Sequence, residues 1–183
     1  MLDNQMQEEL NQQIQEETYS SYIYLSMAAW LEENGYKGMA TWMRVQAREE
    51  KIHADIFYNF IMERGGHVQL EAIQAPPDSW ANPLELFEAA LEHEEHITGR
   101  INHMMNVAIE VKDHASAQML QWFVEEQVEE EANVGEAVQQ LSIAGDQANA
   151  VLMIDREMGT RVFSVPASAP WYPKSGQPGA ASA

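Results

Sequence analysis

The sequence predicts an all-α protein: a bundle of four long helices with a short fifth helix after it. Apolar residues recur at steps of three and four through most of the 183 residues, the period of helices that bury one face. Alternation of β-branched and polar residues over four or more positions is nearly absent. Turn and breaker residues are confined to a few places and leave long uninterrupted pieces between them.

The first helix runs from about Asn4 to Glu33 and stops at the turn pair Asn34-Gly35. A second begins near Gly38 and ends before Gly65-Gly66. Residues His67 to Ala81 form a long crossover, because Pro76-Pro77 forbids helix there. Its HVQLEAI is the one strand-like piece. Asn82-Pro83 reads as an N-cap with proline at the first helical position, opening a third helix to about Val111. After a turn at Lys112-Asp113 the fourth helix runs to about Ala144, where Gly145 ends it. Gln147 to about Thr160 makes the shorter fifth helix. One domain is expected: residues 1–145 as the bundle, 146–160 as its fifth helix, and 161–183 as a tail rich in Pro, Ser, Gly and Ala.

Each long helix carries an apolar seam, and each seam is interrupted near its middle by polar residues. The first reads Leu10, Ile14, Glu17, Ser21, Tyr24, Ala28, Leu31, and the second Met39, Met43, Gln46, Glu50, His53, Phe57, Phe60. The third is Phe87, Leu91, Glu94, Thr98, Ile101, Met105, Ala108, and the fourth Leu120, Phe123, Gln127, Glu130, Val134, Ala137, Leu141. Steps of three and four keep these positions on one helical face. A four-helix bundle sets its mid-helix positions at one level, so Glu17, Glu50, His53, Glu94, Gln127 and Glu130 should converge.

Unpaired buried carboxylates are costly, and these seams contain no Lys or Arg. The compensating charge is therefore expected from bound metal. Carboxylates with one imidazole suit iron or manganese better than zinc, and a bridging carboxylate suits a dinuclear centre. A single polar seam residue can serve only to fix register; four coincident ones argue for a site. The HEEH run, His93 to His96, lacks the HExxH spacing and neither of its histidines falls on the seam, so both are expected on the surface. The methionines read as adaptable core filler rather than copper or haem ligands.

Composition narrows the function further. Without cysteine there is no disulfide framework and no thiolate-held zinc or iron-sulfur site. A net charge of -19 repels phosphate backbones and anionic lipid and attracts cations, so nucleic acid and membrane are not expected as partners. The polar start MLDNQMQEEL and the lack of any run of eighteen apolar residues lead to the expectation of a cytoplasmic protein.

The segments EETYSSYIY, AREEKIHA, EHEEHI and LQWFVEEQVEEE resemble, in order and spacing, those of bacterial non-haem ferritins, from about Met1 to Thr160. Ferritin-like di-iron proteins of another kind carry Glu-x-x-His on two helices. Here the second copy is Gln127-x-x-Glu130, which looks like ferritin rather than bacterioferritin or rubrerythrin. The resemblance implies a ferritin-like four-helix bundle whose ferroxidase centre oxidises Fe(II) with O2 or H2O2 and passes Fe(III) into a shell of twenty-four subunits, without haem. Glu17, Glu50 and His53 would hold the first iron, with Glu50 bridging to a second held by Glu50, Glu94 and Glu130, and Gln127 close by. A third site would fall on Glu49, Glu126, Glu129 and Glu130, Tyr24 would be a redox-active phenol, and Trp122 a second electron donor. Ala117 and Leu120 stand where animal ferritins line their channels with acids, a departure that leaves the iron uptake route open. The rival readings are a soluble di-iron oxidase or peroxidase that stores no mineral, and a structural cage whose metal site is incidental.

Overall fold

The computed structural model describes residues 2–165 and 169–171. It contains five helices: α1 (Asn4–Glu33), α2 (Lys37–Glu63), α3 (Pro83–Glu110), α4 (His114–Ala144) and α5 (Ala148–Met158). The crossover, HVQLEAI included, forms no strand. Capping follows the sequence signals. Asp3 accepts from the backbone N–H groups of Gln5 and Met6, Asn82 from that of Glu85, and Asp113 from that of Ser116. Gly35, Gly65 and Gly145 have positive φ at the three helix exits, a conformation that a side chain would strain.

α1 packs against α2 and α3 against α4, each pair joined by a tight turn, and the crossover links the two pairs. The apolar core is split in two. One cluster joins Met6, Leu10, Ile56, Phe57, Leu120 and Phe123; the other joins Tyr24, Met27, Met43, Phe87, Val134 and Leu141. Between them, in every long helix, lies the polar break in the seam. Leu120 is buried in the first cluster, and Ala117 packs against it half-buried.

α5 docks across the beginning of α2. Asp155 is buried and its carboxylate accepts the backbone N–H of Met39 at 2.9 Å, satisfying an otherwise orphaned donor in the first turn of α2. Gly38 permits this approach, since a Cβ there would stand 1.6 Å from the Asp155 carbonyl oxygen. The chain after α5 stays on the bundle: Trp171 meets Phe60 edge-on at 4.9 Å, and its carbonyl accepts from Asn59 Nδ2 at 3.0 Å. The tail expected from residue 161 onward is thus partly docked, and its remainder, 166–168 and 172–183, lies outside the described residues.

Candidate metal centre

The polar layer between the two clusters collects Glu17 from α1, Glu50 and His53 from α2, Glu94 from α3, and Gln127 and Glu130 from α4, all buried. Glu17, Glu50 and His53 offer ligand atoms within 4.8 Å of one another, and so do His53, Glu126 and Glu130. The imidazole joins the groups: Nδ1 is 3.4 Å from Glu50 Oε2 and Nε2 is 4.0 Å from Glu126 Oε1. Phe123 and Trp122 meet its ring edge-on at centroid separations of 5.6 and 5.7 Å.

Among the described residues no Lys or Arg pairs with Glu17, Glu50, Glu94 or Glu130. Amides meet three of them instead, and Glu50 faces His53. Gln13 Nε2 donates to Glu17 at 2.9 Å, Gln46 Nε2 to Glu130 at 2.7 Å, and Gln127 Nε2 to Glu94 at 3.2 Å. Tyr24 donates its hydroxyl to the other Glu94 oxygen. Burial, with Glu50 close by, pushes the Glu17 carboxyl well above the ordinary range; burial with Glu94 and Glu130 does the same to Glu50. Burial and the neighbouring Glu130 raise Glu94 to about 8, and burial next to Glu94 raises the Tyr24 phenol. Glu17 Oε2 and Glu50 Oε1 are buried without a hydrogen-bond partner among the described residues. Such atoms call for a proton or a cation. An oxygen-rich donor set with one imidazole fits iron.

The sequence-derived positions do not all converge equally. Glu94 faces Tyr24 and Gln127 rather than joining either ligand group. Glu126 joins His53 and Glu130, and burial raises its carboxyl. Glu49 is half-buried and pushed up to about 7 by burial, against the opposing charge of Arg161. Glu129 is exposed and belongs to neither group. A 100° step along α4 carries a residue from the seam to solvent, so a shared face with Glu126 does not give shared burial.

His93 corrects the surface expectation for the HEEH run. It turns inward, accepts or donates at 2.7 Å to Ser20, stands edge-on to Tyr24, and is lowered to about 4 by burial and by His96. His96 does stay exposed, with Nε2 3.4 Å from Glu16. Sequence reasoning also passed over Gln13 and Arg161. Gln13 stands four residues before Glu17, the spacing at which helical side chains meet, and that signal could have found it. Nothing in the pattern near Arg161 points toward Glu49.

A four-helix bundle whose apolar core is cut by a layer of carboxylates and one imidazole defines a metal-binding, ferritin-like protein. The model of the ferritin-like domain matches residues 7–144. Bacterial non-haem ferritin of Staphylococcus aureus (strain MRSA252) is 36% identical over 163 residues, covering 89% of this chain and 98% of its own. That of Bacteroides fragilis is 38% identical over 161 residues, covering 88% and 100%. Among solved structures, an engineered closed form of the Archaeoglobus fulgidus ferritin superposes with a TM-score of 0.88 at 44% identity, covering 90% of this chain and 100% of that one. A humanized archaeal ferritin gives 0.89 at 42%. The chain belongs to the ferritin family, and iron storage is the role that this membership supports.

Proposed function

We propose that this chain oxidises Fe(II) to Fe(III) with O2 or H2O2 at the polar layer and stores the ferric product inside a shell of twenty-four copies in the cytoplasm. The observation that carries this reading is the set of buried carboxylates that no Lys or Arg neutralises, two of whose oxygens lack any partner. Iron is here the substrate. Glu17, Glu50 and His53 hold one Fe(II); Glu50, Glu94 and Glu130 hold the second, with Gln127 orienting Glu94. Binding requires carboxyls that burial keeps protonated to release their protons, so loading exchanges protons for cations.

Glu94 must then shift from its present partners, and the hydroxyl of Tyr24 follows its charge. Tyr24 beside Glu94 and Trp122 beside His53 are placed to supply electrons when the oxidant takes more than the iron provides. Glu49, Glu126, Glu129 and Glu130 accept iron as it leaves, forming the third site. Mass measurement combined with Fe(II) addition in air tests the whole reading. The expected result is a particle of about twenty-four subunit masses that keeps ferric iron in solution. A particle of one or two subunits that oxidises iron but lets it precipitate refutes storage and leaves the oxidase reading.

A further inference from the structure

After α5, Arg161 meets α2 at the level of Trp42 and Glu49, and Trp171 meets it at that of Asn59 and Phe60. At its start, Arg161 Nη2 donates to Glu49 Oε2 at 2.6 Å, and the guanidinium carbon lies 4.5 Å from the centroid of the Trp42 ring. Phe163 then packs near Arg48, whose guanidinium is 5.8 Å from its ring centroid. Arg161 is only partly satisfied in this position: its Nη1 is buried and has no hydrogen-bond partner among the described residues.

Glu49 therefore differs from Glu17, Glu94 and Glu130, which are met by neutral amides. A guanidinium and a divalent ion compete at a half-buried carboxylate, because two cations held against the same group repel each other at contact distance. We propose that Arg161 is a displaceable counter-cation: it occupies Glu49 in the iron-free protein and must swing away before Glu49 accepts a metal ion, so the segment after α5 controls transfer of iron out of the centre. This rests on the reading of Glu49 as a third-site ligand. The arm has somewhere to go. A cleft of about 270 Å³ beside it is lined by Trp42, Glu136, Gln140, Glu157 and Arg161 itself, so two further carboxylates stand ready to receive the guanidinium. Release also lets the orphaned Nη1 find a partner.

The test is calorimetric titration of metal-free protein with Zn(II), which binds without redox chemistry, in the wild type and in Glu49→Gln, Arg161→Ala and Arg161→Lys. Removing the competitor should tighten the weakest class of sites about ten-fold, the worth of one partly exposed charge-assisted hydrogen bond. Arg161→Lys, which keeps the charge, should stay near the wild type, and Glu49→Gln should delete that class of sites. If Arg161→Ala fails to assemble, Arg161→Gln keeps a shorter polar side chain without the charge and takes its place. Should Glu49→Gln leave the number of bound ions unchanged, the third-site reading falls. Should it delete a site whose affinity the neutral residue at 161 shifts by less than about two-fold, the third site stands and the arginine proposal is overturned.

Discussion

Replacing Glu94 by Gln should stabilise the metal-free protein at neutral pH, although it removes a buried side chain from the metal centre. Glu94 is 1% exposed and titrates at about 8 instead of the ordinary 4.5. Keeping it protonated at pH 7 costs roughly 3 kcal/mol at about 1.4 kcal/mol per pH unit, as an upper bound. Glutamine has nearly the same shape and needs no proton. It can still accept from Tyr24, but its amide cannot accept from Gln127, and one lost hydrogen bond costs about 1 kcal/mol. The net gain is about 2 kcal/mol, or about 4–8 °C in Tm for a domain of this size.

The sign depends on pH. A carboxyl raised in the folded state contributes stability that is complete below its unfolded value of 4.5 and is lost as pH rises toward the folded value of about 8. The advantage of Glu94→Gln should therefore be near zero at pH 5 and grow to a maximum above pH 8. Calorimetry of both metal-free proteins at one scan rate across that range is the assay. A lower Tm for the variant at pH 8, or a difference that does not change with pH, would refute the account of the layer as mutually repelling acids.

Glu50→Ala would remove the ligand that the proposed centre shares between two irons, and the fast phase of Fe(II) oxidation, followed by stopped-flow near-ultraviolet absorbance of Fe(III), should slow by well over about ten-fold. Joint replacement of Glu126 and Glu129 by Gln should leave that first phase largely intact and slow later turnovers, read from repeated Fe(II) additions; an equal loss in both phases would place Glu126 in the centre itself. Gly38→Ala sets a methyl against the Asp155 carbonyl and should cost about 1–3 kcal/mol as α5 is pushed off α2, lowering Tm without altering the fast oxidation phase.

The seams were legible because a bundle turns period into position: once four helices share a length, a polar break near each middle falls at one level. That argument places Glu17, Glu50, His53 and Glu130 from spacing alone. It fails where contact depends on a neighbouring helix. His93 lies a 100° step from Glu94, which takes it off the seam yet turns it toward α1, where Ser20 receives it. No period within α3 contains that information. Arg161 fails for a plainer reason: 112 residues separate it from Glu49, and its own segment, RVFSVPASAP, has neither helical nor strand period to say which surface it follows. Glu129 fails in the opposite direction, since a helical face is wider than its buried stripe.

The partners chosen for these acids follow a physical division of labour. An arginine against Glu17 or Glu130 would relieve the buried charge permanently, and a metal ion would then have to displace it from a site with no outlet. Gln13, Gln46 and Gln127 each give one hydrogen bond to a carboxylate of the layer and add no charge, so the layer stays attractive to cations and depends on protons until they arrive. Glu49 stands at the margin of the layer, half-buried, and its partner Arg161 lines an open cleft into which a full positive charge can be withdrawn. There the fold uses arginine. If iron binds first in the layer and passes next to Glu49, as proposed, a neutral donor suits the first place and a removable cation the second, and the type of partner would mark the direction of transfer.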